Sequence, residues 1–149
     1  MSIKGFILIP TTKNEVAMNE KKKILIIDDD EKYLITTKEI LEDEGYEVYI
    51  QHRPIGSTNA IKRLKPDLVL LDINMPALSG DKLSTIILSQ EKDAPIVFYS
   101  SNDEDYLRRA VSECGVNGYI CKGNIYELRR RVAYYIGQNR DEPLPYGGL

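Results

Sequence analysis

The chain has 149 residues, the usual length of one domain, and 42% of them are hydrophobic and 29% charged. This balance excludes a mostly disordered chain, and a net charge of −3 disfavours a general nucleic-acid coat. The apolar runs are too short for a membrane span. Cys114 and Cys121 form neither a disulfide framework nor a two-pair metal site, so we expect buried free thiols in a reducing cytoplasm.

Short apolar runs, separated by segments of helical period, predict the strands of the fold. We expect strands at Ile24–Ile27, Tyr46–Ile50, Leu68–Leu71, Ile96–Tyr99 and Tyr119–Cys121. The first, third and fourth runs are continuously apolar, which is typical of strands buried on both faces of a parallel sheet.

A helix is predicted after each strand, because apolar residues recur there at three and four positions. Gly45 ends the first helix, Ser57 is expected to cap the second before Pro66, and Asn124 with Glu127 resembles a capping box at the start of the fifth. The alternation predicts an α/β fold, a doubly wound parallel sheet with helices on both faces. We expect one domain over residues 22–138, an N-terminal extension over 1–21 and a tail over 139–149.

Acidic residues come where two of the predicted strands end. Asp28, Asp29 and Asp30 follow the first strand, and Asp72 follows the third. Ligands of doubly wound sheets bind outside the carboxyl ends of the strands, so these carboxylates are expected to meet. Together they would repel one another and have raised pKa values, a penalty that a bound cation removes. Oxygen ligands in a small site with room for phosphate favour Mg²⁺ over Ca²⁺.

Two further polar residues lie at strand ends, Ser100 at the fourth and Lys122 at the fifth. Considered alone, Ser100 would be interpreted as a turn cap and Lys122 as a surface lysine. Each of the aspartates, considered alone, would be interpreted as a solvated turn residue. Their coincidence at the ends of four strands favours one shared crevice. Carboxylates, a hydroxyl and an ammonium group around one crevice suit phosphoryl transfer to a carboxylate.

Segments in the same order and at the same spacing resemble the receiver domain of two-component response regulators. KKILIIDDDEKYL resembles its first strand and acidic pair, APIVFYSS its fourth strand and GYICKG its fifth. In DLVLLDINMPALSG, the family pattern of Asp, two residues, Met-Pro, three residues and Gly is met by Asp72, Met75, Pro76 and Gly80. The resemblance covers roughly residues 22–138 and implies a flavodoxin-like three-layer sandwich of five helices and five strands in the order 2-1-3-4-5.

The resemblance also implies an acceptor and a metal site. Asp72 would be the phosphoacceptor. Asp29, Asp72 and the main-chain carbonyl of Asn74 would bind Mg²⁺ directly, and Asp28 would hold the metal through water.

The remaining site residues would contact the phosphoryl group or respond to it. Ser100 and Lys122 would bind phosphoryl oxygens. Tyr119 would be an aromatic switch whose ring turns inward when Ser100 moves toward the phosphate, although by itself it would be read as a half-buried strand tyrosine. Asn74 and Asn102 lie where the family tunes the rate of hydrolysis.

Two positions depart from the family pattern. Gly123 follows Lys122, where the family usually has Pro, commonly after a cis peptide. A cis bond before Gly costs about 2.5–4 kcal/mol, so we expect a trans peptide and a looser or differently aimed loop. Ser101 replaces a very small residue and narrows access to Asp72. Neither change removes a group that the chemistry needs.

The function implied is a stand-alone, cytoplasmic receiver, a switched binding module and not a metabolic enzyme. It would take its phosphoryl group from a sensor histidine kinase or a histidine phosphotransfer protein and change the face made by the fourth helix, fifth strand and fifth helix. The arginines concentrated on those helices are either solvated or face an acidic output partner or a second copy: Arg108, Arg109, Arg129, Arg130 and Arg131. We expect no membrane binding and, since no helix-turn-helix follows, no direct nucleic-acid binding.

Two alternatives stay open. A haloacid-dehalogenase-type aspartyl phosphatase would use Asp28 of the Asp28-Asp29-Asp30 run as its nucleophile. Lys32 stands where that family has Thr, and the MPxxxG loop would be unexplained. A phosphorylation-independent docking module is disfavoured by the intact acidic set and weakly favoured by Gly123.

Overall fold

The computed structural model describes residues 20–137. Its strands are β1 (Lys23–Ile27), β2 (Glu47–Gln51), β3 (Leu68–Leu71), β4 (Ile96–Ser100) and β5 (Gly118–Cys121). Its helices are α1 (Glu31–Asp43), α2 (Ser57–Leu64), α3 (Gly80–Gln90), α4 (Glu104–Cys114) and α5 (Ile125–Ile136). The tail and nearly all of the N-terminal extension lie outside the described residues, so the domain limits stay predictions. No helix in the described part is both long and apolar enough to cross a bilayer.

The strands form one parallel sheet in the order β2-β1-β3-β4-β5, which confirms the fold. Strand β1, which lies between β2 and β3, pairs through Ile27 with Gln51 of β2 and with Leu71 of β3. Leu71 in turn pairs with Phe98 of β4. The carboxyl ends of β1, β2 and β3 are therefore level, and β4 extends two residues further to Ser100. The residues that follow these strands share one edge of the sheet.

Each face of the sheet carries its own apolar core. Leu34 of α1 and Leu128 of α5 lie in the cluster on one face, whereas Ile61 of α2, Leu83 of α3 and Leu107 of α4 lie in the cluster on the other. All residues of β3 and β4 are buried, and so is β1 after its first residue, which confirms the interpretation of the continuous apolar runs. The result is a three-layer sandwich.

Both cysteines are free, as expected, but Cys114 and Cys121 are only partly buried. Desolvation by burial is the main cause that raises the pKa of each thiol. The protonated form is therefore favoured, which lowers the nucleophilicity of both groups.

Helix ends were predicted less accurately than helix positions. Gly56, not Ser57, is the N-cap of α2, because the cap has a φ of +91° that glycine adopts without strain. The Ser57 hydroxyl donates instead to the carbonyl of Pro54. At α5, Asn124 caps the helix by accepting from the Glu127 N–H, as predicted, but the Glu127 carboxylate accepts from Arg131 Nε.

Gly80, the last residue of the loop pattern that begins at Asp72, has a steric reason to be glycine. Gly80 begins α3, and its N–H donates to the carbonyl of Ile73 at 2.9 Å. A Cβ atom at Gly80 would clash with the carbonyl group of Asp72. The start of α3 can therefore approach the end of β3 only without a side chain.

We expect Gly80→Ala to lower the free energy of unfolding by about 1–3 kcal/mol, although Ala is the better helix former, because the backbone must shift. Urea denaturation measures the change. Ser79→Ala is the matched control, since the Ser79 side chain makes no capping bond and its loss should change stability by less than about 0.5 kcal/mol. Equal stability of Gly80→Ala and the wild type would contradict the steric explanation.

Candidate functional site

The acidic residues predicted to meet do lie together at the carboxyl edge of the sheet. The backbone places them, because the N–H of Asp28 donates to the carbonyl of Gln51, the last residue of β2, and the N–H of Asp72 donates to the carbonyl of Ile27 of β1. One carboxylate oxygen from each of Asp28, Asp29 and Asp72 lies within 4.8 Å of the others. Asp28 and Asp72 are buried and Asp29 is exposed, so the cluster has one open side.

Lys122 brings a positive charge to the carboxylates from the far side of β4. Its N–H donates to the carbonyl of Ser100, which fixes its position just after β5. Its Nζ atom lies 2.6 Å from Asp28 Oδ2 and 3.7 Å from Asp72 Oδ1. The side chain is only 6% exposed, so water screens this attraction weakly.

The electrostatics of Asp72 show that the cluster lacks positive charge. Burial is the largest cause that raises the pKa of the Asp72 carboxyl, and the charges of Asp28 and Asp29 raise it further. Lys122 and the backbone N–H of Asn74 oppose the rise without cancelling it. Among the described residues, the buried Oδ1 atom of Asp72 has no hydrogen-bond partner. A buried oxygen without a donor, beside two other carboxylates, fits a small hard cation such as Mg²⁺.

Ser100 belongs to a small polar network at the rim of the crevice. Its buried hydroxyl donates to Asn102 Oδ1 at 2.6 Å, and the Asn74 amide donates to the same oxygen at 2.7 Å. The Asn74 amide also lies 3.2 Å from Ser100 Oγ. The structure thus joins three residues that the sequence placed at separate strand ends and loops. The orientation predicted for the main-chain carbonyl of Asn74 stays a prediction.

Tyr119 is buried, so the expectation of a half-buried strand tyrosine is wrong. The residue is 2% exposed, and its hydroxyl donates to Glu104 Oε1 at 3.2 Å. The Arg131 guanidinium lies 5.0 Å from the centre of the ring, and Arg131 Nη1 donates to the Tyr119 carbonyl. Arg131 itself is 2% exposed, so its assignment to a solvated helix face is also wrong. The ring already lies inward while the Ser100 hydroxyl is bound to Asn102.

The departure from proline at Gly123 does not displace the lysine. Every peptide bond of residues 20–137 is trans, as expected for Lys122–Gly123. Gly123 has a φ of +106°, which glycine accommodates. Lys122 still reaches Asp28 and Asp72, so the loop is not aimed away from the crevice. Ser101, at the rim, is exposed.

Sequence reasoning missed the roles of three residues near the crevice. Asp30 does not join the acidic cluster but caps α1, where its carboxylate accepts from the N–H groups of Lys32 and Tyr33. Its position directly before a helical period is the signal that could have identified the cap. Tyr33, in the first helix, and Tyr99, in the strand predicted over Ile96–Tyr99, lie with their rings beside Lys122 Nζ.

This fold, with its acidic crevice and lysine, is that of a receiver domain of two-component signalling. A model described as the response regulator receiver domain matches residues 24–133. The chain belongs to this family.

Comparisons with solved structures agree with this assignment. The receiver domain of RstA from Klebsiella pneumoniae is 30% identical, with a TM-score of 0.72, and the match covers 78% of this chain and 100% of that one. A CheY-like receiver from Methanospirillum hungatei is 27% identical, also with a TM-score of 0.72, over 82% of this chain and 98% of its own. The receiver of a Pseudomonas aeruginosa sensor histidine kinase, with magnesium coordinated in its active-site cleft, is 26% identical with a TM-score of 0.70, over 79% and 99% of the two chains.

Curated relatives match over part of their length. The DNA-binding response regulator MtrA of Mycobacterium tuberculosis is 30% identical over 105 residues, which are 70% of this chain and 46% of that protein. The transcriptional regulatory protein CreB of Escherichia coli is 26% identical over 83 residues, 56% of this chain and 36% of the relative. The chain thus spans less than half the length of these relatives, and their DNA binding is not carried over to it.

We expect Asp72→Asn to raise the free energy of unfolding of the metal-free protein by about 1–3 kcal/mol at neutral pH, because a buried carboxylate oxygen without a donor is replaced by a neutral amide. The pKa of Asp72 is raised on folding, so the folded state binds this proton more tightly than the unfolded chain does. The stabilisation that the protonated Asp72 carboxyl contributes is therefore present at low pH and is lost as the pH rises through its raised pKa.

Chemical denaturation in the presence of a chelator, from acidic to neutral pH, measures this difference. The stability gained by Asp72→Asn should shrink toward the acidic end, where Asp72 is protonated. A gain that is equal at all these pH values, or no gain at all, would contradict the electrostatic account of the crevice.

Proposed function

We propose that the chain accepts a phosphoryl group on Asp72 from a histidine of a sensor kinase or phosphotransfer protein. The observation that carries the proposal is the buried Asp72 carboxylate with a lysine ammonium group 3.7 Å away and two more carboxylates beside it. This arrangement combines a nucleophile with the charges that stabilise a phosphoryl group in transfer.

Mg²⁺ is the proposed cofactor, held by Asp28, Asp29, Asp72 and the main-chain carbonyl of Asn74. When bound, it neutralises charge on the phosphoryl oxygens. The unpaired Asp72 Oδ1 atom and the family membership support this assignment.

In the proposed transfer, an Asp72 carboxylate oxygen attacks the phosphorus of the phosphohistidine in line. A P–O bond forms, the P–N bond breaks, and its electron pair leaves with the imidazole, which takes a proton. Lys122 holds a phosphoryl oxygen by charge and hydrogen bonding. Ser100 binds another only after its hydroxyl leaves Asn102, to which it donates in the structure. Water later hydrolyses the acyl phosphate, so the chain catalyses only its own modification.

The proposed output face consists of α4, β5 and α5. Tyr119 joins its three elements, because Glu104 of α4 and Arg131 of α5 both bond to this tyrosine of β5. Arg108, Arg109 and Arg129 are exposed there and would meet an acidic partner or a second copy of the chain. A cytoplasmic location, where the kinase offers its phosphohistidine, belongs to the same proposal. The absence of direct nucleic-acid and membrane binding stays a prediction.

The alternatives have less support. As a phosphatase nucleophile, Asp28 would have to give up its contact with Lys122, whereas Asp72 retains the unpaired oxygen. A docking module independent of phosphorylation would not need the buried charges of the crevice. Incubation with acetyl phosphate and Mg²⁺ distinguishes this module from a phosphoacceptor.

Incubation with acetyl phosphate and Mg²⁺ should add one phosphoryl group to the wild type, measured by intact mass. Asp72→Asn should remain unmodified because the nucleophile is gone. Asp105→Asn, which removes an exposed carboxylate of α4, should be modified like the wild type. A modified Asp72→Asn protein would refute the acceptor, and an unmodified wild type would favour the docking module.

Millimolar Mg²⁺ should raise the melting temperature of the wild type, since it relieves the repulsion among the carboxylates. Asp29→Asn should abolish the shift because it removes an open-side ligand. Asp30→Asn is the matched control, since Asn caps a helix as well as Asp does and Asp30 caps α1 outside the cluster. A shift that survives Asp29→Asn, or that Asp30→Asn also loses, would count against this metal site.

A further inference from the structure

Two tyrosine rings lie beside the ammonium group of Lys122. Lys122 Nζ lies 4.3 Å from the centre of the Tyr33 ring and 5.7 Å from that of Tyr99. The two rings meet edge to face, 6.4 Å apart with an interplanar angle of 79°. Tyr33 is on α1 and Tyr99 is in β4, so the ammonium group is bordered by rings from two different elements and by Asp28 and Asp72.

The chain that follows Lys122 does little to hold the side chain in place. A Cβ atom at Gly123 would meet nothing within 4 Å, so no neighbour packs closely on that position. A lysine stem has four rotatable carbons and loses much entropy when its ammonium group is fixed at one place. The short contact with Asp28 Oδ2 alone would draw the ammonium group toward Asp28 and away from Asp72. The Asp72 carboxylate opposes this pull from 3.7 Å, and the two tyrosine rings add a further attraction that neither carboxylate supplies.

We propose that Tyr33, supported by Tyr99, is the positioning residue that holds Lys122 Nζ within reach of the phosphoryl group on Asp72. The negative face of an aromatic ring attracts a cation, most strongly where water is excluded, and the Lys122 side chain is 6% exposed. The inference rests on the proposed function and extends it to a residue outside the acidic crevice.

The structure holds both rings in place. The N–H of Tyr33 donates to the Asp30 carboxylate at the start of α1. Tyr99 is 5% exposed and belongs to β4, whose residues are all buried. The edge-to-face contact between the two rings, one from α1 and one from β4, is therefore present before any phosphoryl group arrives, and both rings lie beside the ammonium group.

The test compares Tyr33→Phe, which keeps the ring and loses the hydroxyl, with Tyr33→Leu, which keeps an apolar side chain and loses the ring. Phosphorylation by acetyl phosphate at saturating Mg²⁺ is followed by intact mass. Tyr33→Phe should react within about twofold of the wild-type rate, and Tyr33→Leu about twofold to thirtyfold more slowly, the range expected from a lost cation–π contact. Melting temperatures establish that each variant is folded, and Tyr33→Met replaces Tyr33→Leu if the latter does not fold.

A second measurement observes Lys122 itself, in the metal-free protein. Ring currents should move the ¹H resonances of the Lys122 ε-methylene group upfield in the wild type and in Tyr33→Phe, and this shift should be reduced in Tyr33→Leu. Because this measurement needs no phosphoryl donor, the ¹H shift reports the position of Lys122 whether or not Asp72 accepts a phosphoryl group. An unreactive wild type would therefore refute the proposed function and leave the positioning role to be decided by the shift.

Three results would overturn the inference. The first is a Lys122 shift that is the same in Tyr33→Leu and in the wild type. The second is a folded Tyr33→Leu protein that reacts at the wild-type rate. The third is a Tyr33→Phe protein that is as slow as Tyr33→Leu, because the hydroxyl or the packing of the ring would then matter, and not its attraction for the cation.

Discussion

The site depends on an imbalance of charge, because two buried carboxylates lie beside a single ammonium group at the edge where the parallel strands end. Asp28 and Asp72 are held beside each other by the ladder of β1, β2 and β3, so their charges cannot separate without breaking the sheet. Lys122 neutralises part of this charge and bonds mainly to Asp28. The Asp72 carboxylate is less well neutralised, because its pKa is raised and its Oδ1 atom has no hydrogen-bond partner among the described residues. A site built in this way has free energy to gain from added positive charge.

The same constraint explains features around the crevice. Gly80 allows α3 to begin directly against the carbonyl of Asp72, which keeps the loop between them short. Asn74, Ser100 and Asn102 share hydrogen bonds at the rim, so the buried hydroxyl of Ser100 has a partner. A buried hydroxyl without a partner would cost stability. In the part of the chain that the structure describes, the crevice thus contains one carboxylate oxygen without a hydrogen-bond partner, next to a rim whose polar side chains are hydrogen-bonded.

The face beyond β5 is also fixed by buried polar contacts. Arg131 is held by Glu127 and by the carbonyl of Tyr119, and the Tyr119 hydroxyl is held by Glu104. These bonds link α4, β5 and α5 in a region of low exposure, where hydrogen bonds to charged groups are stronger than at the surface. Tyr119 is therefore part of a connected network and not a loose tyrosine.

The sequence by itself determined the fold and the members of the acidic crevice, because strand burial and strand ends are read directly from apolar runs and the polar residues that follow them. Ile24–Ile27, Leu68–Leu71, Asp28 and Asp72 were placed correctly for this reason. Only the tertiary structure decided which way individual side chains turn. The N-cap at Gly56, the burial of Arg131 and the ring of Tyr33 beside Lys122 depend on contacts between residues distant in the chain, which local spacing does not encode.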